Sequence, residues 1–191
     1  MLRKLVAVTS VLVVVAAVNA QPVVNLVDMG ELITGTRTYD LVVTIPADDD
    51  WTTCGMTATL DNGSFINTET FNPPTQYFGD PNDSYFTSPD LYPNNATSVG
   101  SVSFADPLMV VEDPQLRFGE WYDTAETGAG DFVLHRLTVD PAGGAWLDLD
   151  GTTSLRSTGG TLYPYEFSVW VPEPASLALL AIGGLALIRR R

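Results

Sequence analysis

The sequence is short of the residues that most chemistry needs. Among 191 residues there is one cysteine, Cys54, and one histidine, His135. A lone cysteine excludes an internal disulfide and a two-cysteine metal site. One histidine and one cysteine together fall below the three or four such ligands that a zinc site takes. A serine–histidine–aspartate triad would have to use His135, which stands beside Arg136 in a strand-like run rather than in a turn. No Gly-x-Ser-x-Gly elbow accompanies it, so no catalytic residue is assigned. Phosphate-loop and dinucleotide fingerprints are also missing.

Positive charge is the next shortage. Lysine occurs only at Lys4. Between Gln21 and Val171 four arginines (Arg37, Arg117, Arg136, Arg156) face 22 carboxylates, a net of 4 − 22 = −18. Such a surface repels phosphates, which excludes nucleic acid as a partner. It suits a hard divalent cation. Asp148 and Asp150 share one strand face before Gly151, which reads as a turn, so calcium at Asp148 and Asp150 is the one cofactor candidate. The pattern is partial, because the later carboxylates and distal glutamate of a calcium loop are missing. Asp80, Asn82 and Asp83 form a second oxygen-rich cluster.

Helical periodicity is absent from the body, and short period-two runs stand in its place. Tyr39, Leu41, Val43 and Ile45 form one such run, and Cys54, Met56, Ala58 and Leu60 another. Cys54 therefore reads as a small buried hydrophobe. Asp61-Asn62-Gly63 reads as a tight turn closing a hairpin into Ser64–Thr70. Val133, Leu137 and Val139 read as one strand face shared with His135. In the last strand Tyr163, Tyr165, Phe167, Val169 and Val171 alternate with Pro164, Glu166, Ser168 and Trp170, and Pro164 suits an edge or a strand beginning. Dense turn signals, such as Asp48-Asp49-Asp50 and Pro141-Ala142-Gly143-Gly144, separate the runs. The fold expected is all-β: a single antiparallel β-sandwich over residues 21–171, Ig/cohesin-like or jelly-roll-like. The stretch 72–97 reads as a long polar, aromatic surface loop.

The two ends differ from the body. Arg3 and Lys4 precede the apolar run Leu5–Val18, and Val18-Asn19-Ala20 offers a cleavage site, so residues 1–20 read as a signal peptide. At the other end Val171-Pro172-Glu173-Pro174 leads into the apolar stretch Ala175–Ile188 and then Arg189, Arg190 and Arg191. The prolines force an extended, accessible segment. The three arginines act as a stop-transfer cluster on the cytoplasmic side, which makes residues 172–191 a tail of motif, hydrophobic helix (Ala175–Ile188) and arginine cluster that tethers the chain to the inner membrane. The stretch is shorter than the usual span of about 17–25 residues, a gap that snorkelling arginines and local thinning can close.

The order Pro172-Glu173-Pro174, apolar stretch and arginine cluster resembles the PEP-CTERM sorting signal of Gram-negative bacteria. That resemblance implies an exosortase as partner, cleavage near the Pro-Glu-Pro motif, and delivery to the cell surface or the exopolysaccharide matrix. In the body, Gly130–Val139 followed by Gly144-Ala145-Trp146, with Asp49-Asp50-Trp51-Thr52 and Gly63-Ser64-Phe65, is similar to uncharacterised surface proteins of planctomycete-like bacteria. The late strand followed by a Gly-rich turn also loosely resembles cohesin-type sandwiches. The function expected is thus a non-enzymatic, exported surface or matrix protein with a structural or adhesive role. One alternative is a carbohydrate-binding module using Tyr77, Phe78, Tyr85, Phe86 and Tyr92, with calcium in support. The other is a polysaccharide hydrolase working through paired carboxylates.

Overall fold

The computed structural model describes residues 21–66, 84–87, 103–105, 111–123 and 127–173. The expected signal peptide at residues 1–20, the tail beyond Glu173, most of the 72–97 stretch and the Asp80–Asp83 cluster lie outside the described residues. The body is all-β. Its strands are β1 (Val23–Gly30), β2 (Arg37–Ile45), β3 (Trp51–Leu60), β4 (Ser64–Phe65), β5 (Tyr85–Phe86) and β6 (Ser103–Phe104). They are followed by β7 (Val111–Asp113), β8 (Leu116–Tyr122), β9 (Gly130–Asp140), β10 (Ala145–Leu155) and β11 (Tyr163–Val171). Among the described residues the one helical element is a 3-10 turn at Arg156–Thr158.

These strands form two antiparallel sheets. The first runs β1-β2-β9-β4, with β5 also paired to β9. The second runs β11-β10-β3-β8-β6, with β7 also paired to β8. One hydrophobic cluster joins them. Leu41, Val43, Leu137 and Val139 enter it from the first sheet, and Met56, Ala58, Trp121, Leu147 and Leu149 from the second. Every one of these side chains is buried, and each large one contributes about 1.5–3 kcal/mol by leaving water.

The inward faces of β2, β3 and β11 follow the alternation written in the sequence. Tyr39, Leu41, Val43 and Ile45 are buried, as are Cys54, Met56, Ala58 and Leu60. β11 pairs only with β10 among the described strands, so Pro164 does lie on an edge, opposite Thr152.

Three local readings are corrected. Asp61-Asn62-Gly63 closes no hairpin, because β4 pairs with β9 in the other sheet. The turn is an arch between sheets. Asn62 Nδ2 donates to the carbonyls of Ala142 and Gly144, and Asp61 Oδ1 accepts from the Trp146 amide. Gly63 sits at φ 80° where a Cβ would fall 2.0 Å from the Asp140 carbonyl oxygen, so the arch depends on glycine. In β9, a bulge breaks the expected face. Leu41 opposes His135 but Val42 opposes Val133, leaving Leu134 as the extra residue. His135, Leu137 and Val139 keep the inward face, while Val133 pairs with Val42 on the other side. Gly151 is no turn, since β10 runs straight through it to Leu155. A Cβ there would lie 2.4 Å from the Tyr165 hydroxyl, so the missing side chain makes room for a cross-strand tyrosine.

Candidate functional site

β11 ends at the position where the sequence places its sorting motif. Val171 is the last strand residue, pairs with Ala145 and is fully buried in the core. Pro172 and Glu173 follow at once, half-buried and exposed. The extended segment therefore leaves a packed strand with no linker. Pro174 and Arg189, Arg190 and Arg191 lie outside the described residues.

The rung beside this exit carries two tryptophans. Trp146 and Trp170 oppose each other on the outer face of the second sheet, 46% and 49% exposed. Their rings meet edge to face with centroids 5.6 Å apart. Further along the same face lie the calcium candidates. Asp148 opposes Ser168 and accepts its hydroxyl at 2.6 Å. Asp150 opposes Glu166, a like-charge rung. Both Asp148 and Asp150 are exposed on a regular strand rather than gathered in a loop. Among the described residues no group of three or more acidic, histidine or cysteine side chains is arranged to hold a metal.

A depression of about 200 Å³ opens on this outer face above Gly55. Thr57, Phe118, Thr152 and two carboxylates, Glu120 and Asp150, line it. Among the described residues these two carboxylates share a depression, which is what a hydrolytic reading would draw on.

His135 is sealed in the interior. It is fully buried, 4.3 Å from the Phe86 ring centroid and 6.3 Å from that of Trp121. Neither ring nitrogen meets a hydrogen-bond partner among the described residues. Burial, and then the nearby Arg117 charge, push its pKa well below the ordinary 6.5, so it is neutral in the folded protein. Cys54 is equally inaccessible. Burial lifts its thiol to about 12, and its sulfur lies 3.1 Å from the Tyr165 hydroxyl, which in turn donates to the Gly55 carbonyl. Such a thiol is inert.

Several structured polar groups were invisible in the sequence. Arg136 and Asp40 form a two-pronged ion pair, both contacts 2.7 Å, on the outer face of the first sheet. Asp40 is 2% exposed, and the guanidinium lies 5.7 Å from the Tyr85 ring centroid. Arg117 is fully buried, with its guanidinium 5.7 Å from the Phe65 ring centroid. At the far end, the acidic run that reads as a bare turn is a latch. The Asp50 carboxylate accepts from the amides of Thr127 and Gly128 and pairs with Arg156, while Asp49 accepts from the Ser157 amide and hydroxyl. Burial alone would raise the Asp49 pKa, but these hydrogen bonds and the Arg156 charge outweigh it and hold the carboxyl below its usual range. Alternation could not announce these contacts, because each joins segments far apart in the chain.

The aromatics proposed for sugar stacking fare poorly where they are described. Tyr85 is 7% exposed and Phe86 is fully buried, so both serve the interior. Tyr77, Phe78 and Tyr92 lie outside the described residues.

Comparison with known families identifies one feature. Residues 171–191 match the model of the PEP-CTERM protein-sorting motif. The match begins at Val171, the buried end of β11. No curated protein matches the chain. A motif of this class marks an exported protein for exosortase processing and delivery to the cell surface.

Proposed function

We propose that this chain is a non-enzymatic surface or matrix protein, whose two-sheet body is displayed through exosortase processing of its C-terminal motif. The observation that carries the reading is the junction at Val171, where a packed strand passes without a linker into the matched motif. The side chains most often used as nucleophile or base support it from the other side, since Cys54 and His135 are both fully buried. We read the paired sheets as a sandwich of the Ig/cohesin or jelly-roll kind. We read the tail as a membrane tether until it is cut, and exopolysaccharide as the matrix that receives the body. The likeness to planctomycete-like surface proteins belongs to the same reading and rests on the strings that carry it.

Intact mass of the protein from its native envelope tests the proposal. A C-terminus between Pro172 and Pro174, with or without an attached glycan or lipid, is the expected result. A mass that retains Arg189–Arg191 overturns the processing step. The hydrolase alternative has Glu120 and Asp150 in its favour, because they share the depression over Gly55. Release of reducing sugar from the host matrix, abolished by Glu120→Gln, is the result that would establish it. Calcium at Asp148 and Asp150 is the cofactor alternative, and a melting midpoint lowered by chelator would support it.

A further inference from the structure

We propose that Trp146 and Trp170 form a membrane-interface contact that seats the body on a zwitterionic headgroup layer while the tail is in the bilayer. The inference rests on reading the tail as a tether. From Val171 to Ala175, the first residue of the apolar stretch, the chain advances four residues, at most about 14 Å when extended. The headgroup layer on one side of a bilayer is itself about 5–8 Å thick. The end of β11 is therefore held at most roughly 6–9 Å beyond that layer, and the rung beside Val171 is the Trp146–Trp170 rung.

The chemistry of the pair fits that depth. Tryptophan favours the boundary between water and hydrocarbon, because its large ring is apolar and its indole N–H wants an acceptor. The chain contains four tryptophans, and they divide into two kinds. Trp51 and Trp121 are fully buried and donate their indole N–H to Thr153 Oγ1 and to the Thr87 carbonyl, at 3.0 and 2.8 Å. Trp146 and Trp170 are half exposed and pack against each other on the surface. Charge then selects the lipid. The body carries a net of 4 − 22 = −18, and Asp148 and Glu166 lie on the same face as the pair, so an anionic bilayer would repel it.

The test uses the full chain, reconstituted from detergent into phosphatidylcholine vesicles whose acyl chains are brominated near the headgroup. Flotation of the vesicles reads the tether, and bromine quenching of tryptophan emission reads the contact. The expected result is flotation together with loss of roughly half the emission, since two of the four indoles would lie at the interface. W146S/W170S should float equally and show no bromine-dependent loss. W146F/W170F, which keeps the packing, serves the same purpose if the serine variant does not fold. Flotation without quenching leaves the tether standing and overturns the contact. Equal fractional quenching in the double variant also overturns it, because Trp51 and Trp121 would then be its source. Absence of flotation overturns the tether and the contact together. If the pair is instead shielded from acrylamide only when exosortase-bearing membranes or matrix polysaccharide are added, the surface belongs to those partners and the lipid assignment falls.

Discussion

The two sheets treat their outer faces in opposite ways. On the second sheet the outer face is wet, and Trp146, Asp148, Asp150, Glu166, Ser168 and Trp170 all stand exposed. On the first sheet the corresponding rungs are covered. Thr38 and Thr138 approach within 3.1 Å with both side chains buried, and Asp40 meets Arg136 on the next outward rung. Ser84 adds to this layer by bonding both the carbonyl and the amide of Thr138. Both sheets keep an apolar inward face, so alternation sets the inside equally well for each. It cannot tell whether the second face is dry. A polar residue on a covered face must find a polar partner, whereas one on a wet face can use water.

The sharpest way to break this contrast is to remove one member of each kind of charge. Arg136→Ala should cost about 3–5 kcal/mol, because it strands the buried Asp40 carboxylate. Replacing both partners, as in D40V/R136M, should recover most of that loss, since a buried pair is often no better than apolar residues of similar volume. Chemical denaturation of the three proteins reads the difference directly. If Arg136→Ala unfolds no more easily than the original, the covered face is not dry.

The next effect concerns acid. His135 has a folded-state pKa well below 6.5, so the unfolded chain takes up a proton that the native state refuses. Stability is therefore whole above pH 6.5 and falls as pH drops towards the folded value, by up to about 1.4 kcal/mol per pH unit. His135→Gln should flatten the part of the profile between pH 6.5 and 5. Urea midpoints across that range provide the comparison, and parallel profiles would count against a buried neutral imidazole.

The smallest effect belongs to the wet face. Glu166→Gln should change stability by less than about 1 kcal/mol, and in the stabilising direction, because it relieves the like-charge rung with Asp150. A loss as large as that of Arg136→Ala would erase the distinction between the faces.

Much of the architecture was legible because it depends on near neighbours. β2, β3 and β11 alternate cleanly, Pro164 marks an edge, and Cys54 sits on an apolar face, all within single strands. The misread places depend on partners far along the chain. Asp61-Asn62-Gly63 has the chemistry of a hairpin turn, but the strand after it finds β9 rather than β3. Gly151 resembles a turn glycine until Tyr165 is laid across it. The bulge at Leu134 moves Val133 to the other face without any local mark in the sequence. The sorting motif was the most legible feature because it is read as a linear string. Arg117 and the Asp40–Arg136 pair were the least legible, since a buried arginine and an exposed one look alike on paper.

The absence of a linker at Val171 has a mechanical side. Any pull on the tail enters the body through β11, an edge strand held by β10 alone among the described strands. Tension in line with the strand is shared across the nine paired positions from Ala145–Val171 to Thr153–Tyr163. Tension from the side concentrates on the Ala145–Val171 rung and opens the others one after another, as a zip opens. The angle of a pull on the tail thus sets whether this edge resists or peels.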